Sequence, residues 1–472
     1  MLIIYTSNYV SKAKATGTVM KFPISKMPLI PIAAIFSSLL FFILVMFQTA
    51  QASDIKLPAD GVTKHLGVTD CSSSTCHGST KAVASSAVEQ NEFFIWNRKD
   101  EHAKAYDHLK SDLSQRIAKN LGLKTPAHEA KICLDCHADN VPKNRRGLRF
   151  QIADGVSCEA CHGGAGGWVK DHIVAGKRGK AGHQQSIANG LYPTERPIER
   201  AKLCLSCHFG GKNKFVTHKI MGAGHPRLTF ELDTYTVTQP MHYKLDKDYT
   251  VRKGAVVDST QVWAIGQAVA AGLFLEKLRS TKGLQGSGLS PELSLFDCQS
   301  CHHEMKNRRW TGHTGLAPGI VRLNDSNFVL LRHAIQVLDP AQGNRFKNAV
   351  LKLHQATTKG KQATIDAAKN LQDIIKGIAT EFNNRRFTPA EKRTLLKAII
   401  SDGVNGRYAD YSVAEQSIMA IEAVSNSLSL RLNLERLYAL FGDGGESASK
   451  DEDYPKYNIN AYRNGLRSIK VN

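Results

Sequence analysis

No cysteine in this chain is spare. All ten fall inside five local motifs, so no thiol is left over for nucleophilic catalysis. A phosphate-binding loop is also missing. Gly163-Gly-Ala-Gly-Gly167 follows a cysteine motif and not a strand, so it reads as a tight turn, and nicotinamide or flavin binding is excluded. The lysines and arginines are scattered, with no recognition motif among them, which excludes nucleic acid as a partner. Methionine is scarce: only Met221, Met241, Met305 and Met419 lie beyond the first 52 residues, and those 52 contain no acidic residue at all.

What is present is a repeat. Cys133-Leu-Asp-Cys136-His137, Cys158-Glu-Ala-Cys161-His162, Cys204-Leu-Ser-Cys207-His208 and Cys298-Gln-Ser-Cys301-His302 are four copies of C-x-x-C-H. Cys71-Ser-Ser-Ser-Thr-Cys76-His77 follows the same logic with four residues between the cysteines. C-x-x-C-H is the attachment signature of a c-type haem. The two thiols add to the haem vinyl groups, and the adjacent histidine becomes an iron ligand. A disulfide framework or zinc ribbons would also use ten cysteines, but neither calls for a histidine after the second cysteine of every pair. Histidine makes up only 18 of the 472 residues. The expectation is five covalently attached c-type haems, with His77, His137, His162, His208 and His302 as proximal iron ligands.

Residues 1–52 read as a targeting segment. Lys12, Lys14, Lys21 and Lys26 form a positive region, Leu29 to Phe47 is apolar, and Ala50-Gln51-Ala52 is an A-x-A cleavage site. Met20-Lys21 looks like a natural start. Cleavage gives a periplasmic protein of a bacterium; left uncleaved, the run is long enough to anchor it in the inner membrane, and that anchor is the only membrane contact expected. The formal charge of +20 falls to +16 without the four leader lysines, and the propionates of five haems remove about ten more. A modestly basic holoprotein remains, suited to redox partner proteins: a donor or acceptor cytochrome, or a membrane quinol or oxidoreductase complex.

The expected fold is mainly α: an irregular haem-packed cytochrome domain over residues 53–316, then an all-α helical domain over 317–472. Periodicity is weak in the first, as when haems replace side chains in the core. Helices are expected from Phe93 to Leu109, carrying His102 and His108, and from Gln261 to Arg279, with loops over 182–197 and 210–214. Beyond Ala317 cysteine is absent and His354 is the last histidine. There the patterns predict helices over 327–338 and 361–378. Two more are expected behind capping boxes at Thr388-Pro-Ala-Glu391 and Ser412-Val-Ala-Glu415, reaching Ile400 and Phe441. Gly442 to Asp453 reads as an acidic linker before a short terminal helix.

Thirteen histidines remain as second axial ligands against four methionines. Ligation by two histidines is favoured, which implies low potentials, since methionine ligation raises them. For the fourth haem, Gly224-His225-Pro226 is the best distal candidate, with His218 next; for the fifth, His333 leads, with His313 and His303 competing. His65, His183, His242 and His354 receive no role.

Lys99-Asp-Glu-His102-Ala-Lys-Ala-Tyr-Asp-His-Leu109, and Gly155-Val-Ser-Cys-Glu-Ala-Cys-His-Gly163 with Lys170-Asp171-His172, resemble the cytochrome c-554 family of tetrahaem electron carriers over about residues 65–230. The resemblance implies closely stacked haem pairs. It implies His172 as distal ligand opposite His77, and His102 opposite His162. It also implies that the second haem can lack a distal ligand, leaving an open iron at His137 unless His108 or His128 closes it. The C-x4-C-H spacing, the fifth motif and the C-terminal helical domain depart from the family. Two functions follow as expectations. One is a periplasmic multihaem cytochrome transferring electrons through mostly bis-His haems. The other is a multihaem oxidoreductase acting on a small nitrogen or sulfur compound at one open haem. The first is favoured, an electron carrier more than a catalyst.

Overall fold

The computed structural model describes residues 55–83, 88–177, 179–256, 258–285, 291–303, 314–441 and 457–471. The expected leader, the 442–453 linker and His313 lie outside the described residues. Residues 55–472 form one compact unit. Among the described residues the fold is mainly α, with isolated β-bridges and no strand, and no described helix is long and apolar enough to cross a membrane.

The first part is a series of short helices: α1 (Glu92–Lys99), α2 (Asp112–Asn120), α3 (Lys131–His137), α4 (Cys158–His162), α5 (His172–Lys177), α6 (Gly179–Ala188), α7 (Pro197–His208), α8 (His218–Gly222) and α9 (Leu232–Thr238). Helices α3, α4 and α7 each end on the histidine of a C-x-x-C-H motif. The expected helix from Phe93 to Leu109 breaks at Asp100. That residue is extended, and its carboxylate accepts the backbone N–H of His102, so the chain restarts as a 3-10 turn over Glu101–Lys104. Part of the expected 182–197 loop is helical instead: α6 packs against α5 with Gly182 and Ser186 buried, and packing outweighs the glycines' low helix propensity. Apolar packing here is sparse. One cluster of five buried residues lies around Leu134, and a second, around Leu205, is completed by Val262 and Ala270 further along the chain.

The second part is built on α10 (Ser259–Arg279), which is apolar around most of its circumference and correspondingly buried. It packs on α7 and α9 on the motif-bearing side. On the other it meets α11 (Ser326–Leu338), α13 (Lys361–Ile375), α14 (Ile378–Asn384) and α16 (Tyr411–Ser427). Helices α12 (Pro340–Thr357), α15 (Pro389–Val404) and α17 (Ile459–Arg467) complete the packing. The core they share takes in Trp263 and Leu275, upstream of Ala317, as well as Leu331, Leu395, Ile418 and Tyr462. The capping box at Thr388 and Glu391 forms as expected, but the helix runs to Val404. Helix α16 is capped by Asp410 in place of Ser412 and stops at Ser427. Ser429 then takes a positive φ of 56°, which no helix sustains. Between α13 and α14, Gly377 turns the chain at φ 87°.

One buried ion cluster ties the fifth motif to this core. Arg322 reaches Asp297, the residue before Cys298, at 3.3 Å, Asp325 at 2.9 Å and Asp410 at 2.6 Å. His354 contacts Asp325 at 3.1 Å, and the backbone N–H of Tyr411 donates to Gln299 inside the motif at 2.8 Å. These partners satisfy charges that would be costly if buried alone.

Candidate functional site

None of the ten cysteines is paired in a disulfide. In the fifth motif the backbone N–H of His302 donates to the carbonyl of Cys298 at 2.8 Å, the i to i−4 bond that sets the histidine over its first cysteine. In the C-x4-C-H motif the N–H of His77 donates to the carbonyl of Cys71 at 3.1 Å. The two extra residues are looped out, and the histidine returns to the equivalent place. The odd spacing therefore preserves the relation between first cysteine and histidine.

Each motif histidine faces one other histidine. The ring centres lie 6.3 Å apart for His77 and His172, 6.4 Å for His137 and His225, and 6.2 Å for His162 and His242. They lie 5.9 Å apart for His208 and His102, and 6.1 Å for His302 and His218. Two imidazoles bound through Nε2 to one metal ion at about 2 Å each have ring centres about 6 Å apart. Among the described residues no three His, Cys, Asp or Glu side chains converge to hold a bare ion. Two protein ligands suffice where a porphyrin supplies the other four, so the residues present fit a haem.

The outward nitrogens are tied down. Nδ1 of His77 meets Glu92 at 3.0 Å, that of His102 meets Asp100 at 2.8 Å, and that of His137 meets the carbonyl of Ala105 at 3.2 Å. Nδ1 of His172 donates to the carbonyl of Val169 at 2.6 Å, and that of His225 to the carbonyl of Pro226 at 2.7 Å. A carbonyl or carboxylate acceptor places the proton on Nδ1 and leaves the Nε2 lone pair for a metal. Burial holds His162 neutral, with its pKa lowered to about 4, and lowers those of His137, His208, His225 and His242. Burial by itself would raise Asp100, but hydrogen bonds from His102 and Gln239 bring it to about 2, so it stays a carboxylate beside His102.

The motifs are also neighbours. Cys71 lies against Cys158, and Cys136 against Cys207, while Cys161 lies within electrostatic reach of Cys204 and Cys207. The first motif thus adjoins the third, the third the fourth, and the fourth the second. Lys214 sits where the second and fourth meet, its Nζ donating to the carbonyl of Asp135 at 3.0 Å and lying 3.2 Å from Cys207 Sγ. Buried Glu159, inside the third motif, accepts the N–H groups of Leu66, Gly67 and Ala165 at 2.6–2.8 Å, fixing two loops around that motif. Gly163 beside it has φ 80°, and a Cβ there would lie 2.4 Å from the carbonyl oxygen of Gly190.

The expected distal positions come out mixed. His172 faces His77. His102 faces His208 and not His162, because the break at Asp100 turns it that way; His162 is met by His242, which had no assigned role. His225 faces His137, on the side expected to be open, instead of the fourth motif, while His108 and His128 contact Glu101 and Glu129. The ring facing His302 is that of His218 and not of His333. His333 is buried in the helical core, 3.2 Å from Asp402 and 3.3 Å from the Tyr408 hydroxyl, because α11 turns its apolar face inward and takes the histidine with it. His65 and His183 are satisfied by Asp139 and Glu195. The Nδ1–acceptor pairing was a usable signal for His102, with Asp100 two residues earlier. His242 carried no local signal, and only the fold places it.

Paired histidines beside C-x-x-C-H cysteines are the arrangement that would hold covalently attached c-type haem. Over residues 70–163, which hold the first three motifs, the chain matches the family described as Cytochrome c554 and c-prime. No curated protein and no solved structure matches the chain.

Proposed function

We propose that this is an exported multihaem electron carrier using five covalently attached c-type haems, each iron held between two histidines. The observation that carries the reading is the set of five histidine pairs with ring centres 5.9–6.4 Å apart, one at every motif. Bound haem supplies reversible one-electron iron chemistry. The chain's own work is placement. The cysteines fix each macrocycle, and the Nδ1 acceptors hold the imidazoles of His77, His102, His137, His172 and His225 in one tautomer and orientation. The adjoining motifs keep successive sites close. With histidine on both sides of each iron, the potentials are low, since methionine ligation would raise them.

The alternative, catalysis on a small nitrogen or sulfur compound, needs a vacant coordination site. The second motif was the candidate for it, and the facing ring of His225 favours the carrier reading there. A modest surplus of lysine suits an acidic redox partner, a cytochrome or a membrane oxidoreductase complex. The test is a haemochrome count with a potentiometric titration in the presence and absence of nitrite and hydroxylamine. Five haems per chain, all titrating reversibly at low potential and unmoved by either compound, is the expected result. Turnover of either compound, or a haem that binds it, contradicts the proposal.

A further inference from the structure

Two of the five pairs draw their second histidine from one short stretch. His218 and His225 lie seven residues apart on either side of the turn that ends α8. His218 faces His302 of the fifth motif, and His225 faces His137 of the second. The stretch is fastened towards both. The backbone N–H of His218 donates to Glu292 Oε1 at 2.7 Å, six residues before Cys298. On the other side Asn120, at the end of α2, donates to the carbonyl of Ala223 at 3.0 Å. Between them Thr217 caps α8, and Gly224 turns the chain at φ 115°, a conformation that favours glycine. His225 is then held by its N–H to the carbonyl of Ile220 at 3.3 Å and by Nδ1 to the carbonyl of Pro226.

We infer that the stretch Thr217–Pro226 ligates two irons at once, closing the second haem with His225 and the fifth with His218, and so makes these two haems redox neighbours. The inference rests on the electron-carrier reading. The motif contacts already run from first to third to fourth to second. The shared stretch adds the fifth haem at the second, which makes the array one unbranched line and not a group of four with a detached site. Neighbouring irons interact through their charges, so reduction of one lowers the potential of the next.

The test uses the full-length holoprotein. His225→Ala converts one haem from low to high spin by electron paramagnetic resonance, and exogenous imidazole restores it; His218→Ala converts a different one, and the double variant converts two. In His218→Met the fifth haem titrates at higher potential, and the haem identified by His225→Ala shifts to lower potential. Retention of full low-spin character in His225→Ala or His218→Ala overturns the inference. So does a second-haem potential that stays put in His218→Met. A high-spin haem in the unsubstituted protein defeats the carrier reading itself, and so separates the two failures.

Discussion

The two parts of this molecule solve the problem of a core differently. From Trp263 to Leu466 one continuous apolar core is shared by α10 to α17, whereas residues 55–256 have one five-residue cluster, a second completed by Val262 and Ala270 of α10, and nine of the ten paired histidines. A fully buried leucine or isoleucine contributes about 1.5–3 kcal/mol, so the helical part has ample apolar material and the motif-bearing part does not. What it lacks in side chains is matched by where haem would sit. The difference teaches that one chain can carry a region that folds on its own side chains beside a region that folds around its cofactor.

The sharpest way to break this comparison is to withhold haem. Limited proteolysis of the haem-free chain is expected to digest the stretch before α10 and leave a resistant fragment spanning α10 to α17. Equal resistance along the whole chain would refute it. Next in size is the joint between the parts. Arg322→Ala leaves Asp297, Asp325 and Asp410 buried without their cation and is expected to cost about 3–5 kcal/mol in thermal or denaturant unfolding.

A smaller, pH-dependent effect marks the seam at α9. Burial raises the pKa of Glu231 to about 7 and that of Asp233 to about 6. A carboxyl with a raised folded pKa contributes stability that is complete below its unfolded value and is lost as pH rises through the folded one. Stability is therefore expected to fall between about pH 4.5 and pH 7, the ordinary and shifted values for Glu231. Glu231→Gln should flatten part of that slope in melting temperatures across this range, leaving the share due to Asp233. The smallest effect belongs to the self-sufficient part: Thr388→Ala removes the α15 capping box and should cost about 1 kcal/mol, read by denaturant unfolding.

The helical part was largely legible in the sequence because helix periodicity and caps are local. The errors fell at chain breaks, such as Ser427 to Ser429, where tertiary packing decides. In the motif-bearing part the cysteines and their adjacent histidines were legible for the same reason. Of the opposing histidines only His172 was placed, by resemblance; the others were not, because each is a long-range partner. His242 lies 80 residues from His162, and nothing near either announces the pairing. His333 shows the converse error: a histidine on an apolar helix stripe, satisfied by Asp402 and Tyr408 in a core.

The most direct test of the central claim is the electron paramagnetic resonance spectrum of the oxidised holoprotein, with haem counted by pyridine haemochrome. Five low-spin haems per chain and no high-spin signal are predicted. A high-spin component near one iron per molecule, or a count of four haems, would contradict it.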